Sequence, residues 1–520
     1  DAAEDFSSEE DDSEIEDEDE DRLSDVESSS DREELPGTIG DGPECKDKTE
    51  SGCLDAIIIP LYAKLGPELQ AKAFQKPPSN SRLIIIATNV AETSITIPGI
   101  CYVVDTGRSK QKMDKSVDSG LTQFEVNWIS KSSATQRAGR AGRTGPGHCY
   151  RLFSSAFFND NFPQYSVPDI RNTPLESVVL QLKSIGVDKS ESFPFPTQPN
   201  QRSLSKAERC LRLLNVVSAP SGQINALGIF LSKFPVNPRH ARMLVASVML
   251  CNNPKHLGKC LQVAISVAAI LSFENPLAHE DSAAEMDAKA TDGKQGHQKD
   301  DDALRREDLN AVAQRYGGDV FATLTILRAY EEQAKTNASQ LHTFCKKNSL
   351  HVTVIREITQ LKKQLASICA ARVKSEEEGS GLLEFSLLKR AVNDAGGREG
   401  LQNVTPRANA QIATTIQHAI CVGWADRVAR RITVSERIDE REGRNQLSST
   451  HKMKKRYQTL FGDSLVSLRR KSPISRNRPE FVVYRDLIQG AKNINMECVT
   501  EVHPSWLSTI LKPIATFSSP

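Results

Sequence analysis

Residues 82–107 read RLIIIATNVAETSITIPGICYVVDTG. An apolar, β-branched run (RLIIIA) gives way to a polar stretch and then to a second apolar run (ICYVVD). A third run, LDAIIIPLY at 54–62, comes earlier, and the helical pattern PELQAKAFQK at 67–76 separates it from the first. Short runs of this kind, alternating with helices, predict buried parallel strands with crossover helices, hence an α/β layer. The polar stretch at 87–100 then falls at the carboxyl end of a buried strand, where open α/β sheets place ligands. Thr88, Asn89, Thr93 and Ser94 offer short donors suited to phosphate oxygens; a plain helix N-cap built from Thr and Asn explains the same residues equally well.

Downstream, QRAGRAGRTGPG at 136–147 sets Arg137, Arg140 and Arg143 at three-residue spacing. A helix would hold the three near one face. Gly139 and Gly142 inside that helix would cost about 1 kcal/mol each against Ala. A solvated basic face has no need of them, whereas small residues let another body approach the backbone. Arginine forks can then reach a polyphosphate and stabilise charge as it develops. Between the two stretches the pattern changes. LTQFEVNWI alternates, with Thr122, Phe124, Val126 and Trp128 on one side, after a turn signal DSG at 118–120. This predicts a hairpin over 107–130 inserted in the α/β layer.

From 159 the pattern turns helical. TPLESVVLQLKSIG predicts a capping box with Thr173 at the cap, Pro174 first in the helix, Glu176 third, and Gly186 closing it. FPFPTQP reads as a rigid linker; AERCLRLLNVV and NPRHARMLVASVML are amphipathic, the second opened by Asn237-Pro238. Residues 280–303 are polar and of low complexity, a loop inserted between helices. Helices resume with GGDVFATLTILRAYEEQ and REITQLKKQLASICAARV. From about Ala419 strand-like runs return (ADRVARRITV, SLVSLRR, EFVVYRDLI), predicting a small closed β domain with basic clusters at 452–456 and 469–471 in its loops.

The chain has 520 residues, 38% hydrophobic and 26% charged, enough for three or four domains. Its 11 cysteines include no CxxC pair, which points to reduced thiols and to no zinc or disulfide frame. No apolar run reaches membrane-span length and no signal peptide is visible; a start at Asp1 is that expected of a fragment. Residues 1–34 hold 19 acidic residues and 2 arginines, so against a formal net charge of −1 the other 486 residues carry +16. The acidic block, within 1–53, is expected to be disordered. The basic body suits an anionic partner, although an ordinary basic surface would look the same.

TNVAETSITI, YVVDTG and QRAGRAGRTGPGHCYRL, in that order and spacing, resemble motifs V, Va and VI of the DEAH-box RNA helicases. TPLESVVLQLKSIGV, LSKFPVNPRHARML, GGDVFATLTILRAY, AICVGWADRVARR and EFVVYRDLI resemble the domains that follow in that family. The resemblance implies a multidomain chain: an incomplete α/β second RecA-like domain at 54–158, a winged helix at 159–235, a helical ratchet at 236–417 and an OB-fold-like β barrel at 418–520. It implies ATP and Mg²⁺ as cofactors and single-stranded RNA as partner. Gln136 would help place the attacking water, Arg140 and Arg143 would meet the γ-phosphate, and Gly139 would line the same turn. Phe74 would stack on adenine, although a core phenylalanine explains it as well. Thr88, Asn89, Thr93 and Ser94 would touch RNA phosphates, the hairpin would wedge against RNA, and the basic β domain would close the RNA channel.

TNVAETSITIPGI and the acidic insert before PLYAKL most resemble the nucleolar member acting in small-subunit ribosome biogenesis. That implies assembly-factor partners, no membrane, a monomer, and a nuclear, nucleolar location. Alternatives are a truncated, non-catalytic RNA- or protein-binding module, or a family member of another pathway such as splicing. Pro98 stands where many members carry a ribose-binding Asp, and RRKSPI at 469–474 replaces the family's His-Pro-Ser-Ser loop. The chain contains no GxxxxGK[ST] and no DEAH. It therefore supplies the arginine half of an ATP site that forms between two RecA-like domains. Deleting 1–34 should tighten RNA binding, most at low salt, because a tethered polyanion competes for the same cations. Equal affinities of the two forms for one labelled oligonucleotide at low salt would contradict this.

Overall fold

Parallel pairing organises the first part of the structure. This computed structural model describes residues 55–277, 306–375 and 383–510, apart from 63–64, 66, 80, 94, 117–120, 144, 219–220, 443–445, 461–463, 470–471 and 491–492. The acidic block, the 280–303 insert, Ser94 and the DSG turn thus lie outside the described residues. The order begins β1 (Asp55–Leu61), α1 (Pro67–Lys72), β2 (Ser81–Ala87), α2 (Val90–Thr93), β3 (Tyr102–Asp105), β4 (Arg108–Ser116) and β5 (Leu121–Trp128). It continues with α3 (Lys131–Ala138), β6 (His148–Arg151) and α4 (Ser155–Asn161). β1 runs parallel to β2 with Ile59 opposite Ile85, and β3 parallel to β6 with Val104 opposite Tyr150. Ile59 and Leu61 pack with Leu65 and Ala73 on one face. β1–β2 and β3–β6 are separate two-stranded sheets, and each exposes apolar residues: Ile58 is 61% exposed and Ile86 64% in the first, Val104 65% in the second. The β-branched runs predict cover on both sides; among the described residues no element supplies the second cover.

The hairpin is present, with Arg108 opposite Trp128, but it does not belong to the α/β layer alone. Its base is closed by the Ile129 N–H donating to the Gly107 carbonyl at 2.9 Å. At its other end Leu121 lies beside Leu487 in parallel register and packs against the C-terminal β core.

The helical middle comprises α5 (Glu176–Ser184), α6 (Gln201–Leu213), α7 (Ala226–Leu231), α8 (Pro238–Met249), α9 (Leu257–Leu271) and α10 (Arg306–Arg315). It goes on with α11 (Asp319–Thr336), α12 (Leu341–Lys347), α13 (Val352–Ser375), α14 (Leu383–Asp394), α15 (Gly397–Gln402) and α16 (Ala410–Gly423). α9, LGKCLQVAISVAAIL, is apolar on nearly every side, so it can be satisfied only at the centre. It is buried there, touching α8, α13, α14 and α16. Asn237 caps α8 as its Asn-Pro pair predicts, its side chain accepting from the Arg239 N–H at 3.0 Å. The capping box at Thr173 does not form. α5 starts at Glu176 behind Leu175, and the Thr173 hydroxyl donates to the Asp169 carbonyl at 2.9 Å, closing the preceding turn instead. Gly186 ends this helix in the left-handed region at φ 93°, a conformation glycine adopts without strain.

The last part holds β7 (Val428–Glu442), β8 (Gln446–Thr459), β9 (Leu465–Leu468), β10 (Phe481–Val483), β11 (Asp486–Gln489), β12 (Ile494–Glu497), β13 (Thr500–Glu501) and α17 (Pro504–Ile510). Instead of pairing only among themselves, these strands and the hairpin form one nine-stranded sheet, in the order β13-β10-β7-β8-β9-β12-β11-β5-β4. The basic cluster at 452–456 lies in strand β8 rather than in a loop. Of the cluster at 469–471 only Arg469 is described, paired with Glu497.

A buried charge cluster ties α5, α8 and the entry to β7. Arg239, 3% exposed, grips both carboxylate oxygens of Asp426, one at 2.8 Å, and lies 3.4 Å from Glu176 Oε1. Burial alone would raise the Asp426 pKa; Arg239 and Arg427 override it and hold the carboxyl well below its ordinary range. A depressed carboxylate contributes stability that is present above its unfolded value near 3.9 and lost as pH falls. Asp426→Asn should therefore cost about 3 kcal/mol at pH 7, because it leaves the buried Arg239 with only its longer contact to Glu176 as an ion pair. The gap to wild type should narrow by about 1.4 kcal/mol for each pH unit below 3.9. Urea unfolding at pH 7 and pH 3 checks both statements.

Candidate functional site

The site grows from the end of β2. The Thr88 N–H donates to the Leu61 carbonyl at 3.0 Å, and the Thr88 and Asn89 carbonyls accept from Ala91 and Glu92 N–H at 3.2 and 3.0 Å. These bonds turn the chain into the short helix α2. Thr88, Asn89 and Thr93 are exposed along it, while Ser94 lies outside the described residues. This is the loop geometry that both sequence readings shared, donors at the carboxyl end of a strand.

The arginine stretch departs from its predicted form. α3, capped by the Ser130 side chain, stops at Ala138, with Gly139 as its C-cap. Arg140 and Arg143 therefore sit in the turns that follow, not on a helix face shared with Arg137. Gln136, on the last turn of α3, is exposed. Arg140 donates through Nη1 to the Ile95 carbonyl at 2.9 Å and through Nη2 to the Glu92 carbonyl. Arg143 donates to the Thr96 hydroxyl. The structure thus places both arginines against residues 92–96, directly beyond the Thr88–Thr93 stretch. Partial burial and then the neighbouring Arg143 lower the Arg140 pKa from its ordinary value. Two guanidinium groups side by side repel each other and favour an anion between or beside them.

Arg137 was legible only as one of three spaced cations; its geometry gives it a different part. Its Nε donates to Glu92 Oε2 at 3.0 Å, and its Nη1 to Asp105 Oδ1 at 2.9 Å and to the Arg108 carbonyl at 3.2 Å. Asp105, 2% exposed, also accepts from the Gly107 N–H at 2.9 Å. One side chain thus joins α3 to α2, to the end of β3 and to the first residue of the hairpin. The signal was in the sequence: a lone acid closing the apolar run YVVD must find a partner once buried.

The glycines divide. A Cβ on Gly142 would meet nothing within 4 Å, and one on Gly139 would only reach the Gln136 and Thr135 carbonyls at 3.4 Å. Packing within the described residues demands neither, and Gly139 serves as the C-cap of α3. Gly147 is the position that packing requires, since a Cβ there would lie 2.2 Å from the Ala141 carbonyl oxygen. Phe74 follows the end of α1 and is 42% exposed, while Ala73 beside it fills the core. Pro98 is exposed. In the replaced loop Ser472 donates to Asp319 Oδ1 at 2.8 Å, so this segment anchors the start of α11.

The residues present fit part of a nucleotide site. Gln136 and Arg143 are open, and Gly142 leaves room for a neighbour. For a metal the fit fails, because the two acids this segment contacts, Glu92 and Asp105, are both engaged by Arg137. Arg137→Ala should destabilise this part by about 3 kcal/mol, because it strands the buried Asp105 carboxylate. Arg137→Lys should recover less than half of that, since an ammonium cannot bridge both carboxylates in a planar fork. Urea unfolding followed by fluorescence in a Trp424→Phe, Trp506→Phe background, where Trp128 alone reports on the hairpin base, measures both.

Residues 46–145 match the helicase conserved C-terminal domain, 237–323 the ratchet-like helicase associated domain (HA2), and 416–514 the oligonucleotide/oligosaccharide-binding (OB)-fold. The chain is 35% identical over 481 residues to the ATP-dependent RNA helicase DEAH13 of Arabidopsis thaliana, covering 89% of this chain and 36% of that protein. It is 33% identical over 499 residues to the probable ATP-dependent RNA helicase DHX37 of Homo sapiens, covering 93% and 39%. It is 36% identical over 397 residues to the probable ATP-dependent RNA helicase DHR1 of Saccharomyces cerevisiae, covering 72% and 29%. The chain therefore spans well under half the length of these relatives. With the α/β layer, the helical middle and the C-terminal sheet following in the same order as the three matched domains, the chain belongs to the DEAH-box RNA helicases, of which it carries the C-terminal part.

Proposed function

We propose that this chain is the arginine-bearing part of an ATP-dependent RNA helicase that remodels RNA or ribonucleoprotein in small ribosomal subunit biogenesis. The observation that carries the reading is the anchoring of Arg140 and Arg143 on residues 92–96. Groups suited to a γ-phosphate and groups suited to RNA phosphates, Thr88, Asn89 and Thr93, then belong to one stiff piece of chain. In this reading the domains divide at 158, 235 and 417. ATP and Mg²⁺ are held mainly by a first RecA-like domain outside this chain, and Phe74 stacks on the base. When bound, the nucleotide supplies the phosphoryl group and the metal neutralises charge on it. Gln136 orients water, and Arg143, beside Arg140, stabilises the charge that develops on the transferred group. The relatives named above support the helicase reading. The nucleolar setting, assembly-factor partners and a monomeric state extend it by the likeness of the 88–100 stretch and the acidic block.

The purified chain should bind single-stranded RNA with little sequence preference, log affinity falling with log salt by about 0.7 per phosphate contact. It should not turn over ATP, since positioning of phosphates and metal supplies nearly all the catalysis. RNA-stimulated turnover that survives Arg143→Ala after exclusion of contaminants, or a salt-independent affinity, would sink the proposal. Crosslinking in cells to precursor ribosomal RNA, against spliceosomal RNA, separates this pathway from its alternative.

A further inference from the structure

β7 and β8 are far longer than the strands beside them. β10 pairs with β7 only at Val428–Arg430, and β9 with β8 only at Tyr457 and Gln458. From Ile432 opposite Arg456 to Glu442 opposite Gln446 run eleven further register pairs, and among the described residues no third strand lies on either side of them. At about 3.4 Å per residue this ribbon reaches roughly 37 Å out of the sheet. A two-stranded ribbon of that length is marginal in water unless something lies against it.

Its charge indicates what that is. β7 carries Arg430, Arg431, Arg437 and Arg441 balanced by Glu436, Asp439, Glu440 and Glu442. β8 carries Lys452, Lys454, Lys455 and Arg456 and no acid. Lysine is the usual charge that guards an exposed strand edge against aggregation; what sets this strand apart is where its cations lie. At the root the cations fall on both sides of the ribbon. By alternation Lys454 and Arg456 share one side, and Lys455 takes the other with Arg431, two positions along β7 from Thr433, its register partner. Lys454 and Lys455 are exposed, and so are Arg476 and Arg478 beside the root, where Arg431 donates to the Arg478 carbonyl.

We propose that the β7–β8 ribbon is an arm for base-paired RNA, separate from the single-strand path through the 88–93 stretch. It rests on the RNA reading above and adds a second substrate form to it. A single strand offers one row of phosphates; a ribbon whose root is cationic on both sides suits the two rows that border a groove. The contacts are to phosphates, so the arm reads helical shape and not sequence.

The test uses the full chain, a blunt RNA duplex and an oligouridine of the same length. In one variant residues 433–455 are replaced by Asn-Gly, joining Ile432 to Arg456, which stand opposite each other. A second, Lys454→Gln with Lys455→Gln, leaves the ribbon in place and guards against misfolding of the first. Duplex affinity should fall about tenfold for both variants, with a shallower salt dependence, while oligouridine affinity changes by less than about twofold. Equal losses on both RNAs would overturn the proposal by making the ribbon part of the single-strand path. Unchanged duplex affinity would overturn it in favour of a protein contact. A wild-type chain that binds neither RNA would overturn the RNA reading itself, a result distinct from either.

Discussion

The guanidinium of Arg137 is the constraint on which the rest of the site depends. α3 ends one residue later, so the turns bearing Arg140 and Arg143 have no helical ladder to hold them. Their position is set from outside, by the Glu92 and Ile95 carbonyls and the Thr96 hydroxyl. Arg137 helps keep those partners in place by clamping Glu92 to Asp105, alongside the Glu92 N–H bond to the Asn89 carbonyl and the packing of Ile95 on the core around Leu61. Lysine could satisfy one carboxylate but not both along a planar fork. The stretch that looked like three equivalent cations is one strut between two carboxylates and two arginines anchored on residues 92–96.

Other junctions use the same device. Arg239 joins the first helices after the α/β layer to the start of the C-terminal sheet. Lys362, 1% exposed, donates to Glu331 at 2.6 Å, to the Asn403 carbonyl at 2.8 Å and to Thr405 at 2.9 Å, fixing α11 against α13. Asp319 accepts from Ser472 and from the Val499 N–H at 3.0 Å, seating α11 on the sheet. Such pairs add little net stability against apolar replacements of equal shape. Their strength lies in intolerance: a junction displaced by one residue would leave a buried charge without its partner.

Local chemistry was legible where a residue answers to its neighbours. Asn237-Pro238 capped a helix because cap and first turn are adjacent, and Gly186 closed one because only its own φ was at issue. Thr173 failed because the turn at Asp169–Arg171 offered its hydroxyl a nearer acceptor. The arginine helix was cut short at Gly139, where the following residues found carbonyls across the fold that no spacing rule encodes. The hairpin was read from alternation, but its attachment to β11 was not, since parallel pairing of Leu121 with Leu487 joins residues hundreds of positions apart. Within the site, residue types and order were visible in the chain. The division of labour among Arg137, Arg140 and Arg143 required knowing which carboxylate was buried.

The exposed apolar residues of the α/β layer have a thermal consequence. Its two cores, around Leu61 and around Phe162, are small and separate from the large helical core. Apolar surface that is already wet adds nothing to the rise in heat capacity on melting. The layer's share of that increase is therefore small for its size. Far-ultraviolet ellipticity is dominated by the helical middle, so it is a poor guide to whether the groups at 136–143 are in place.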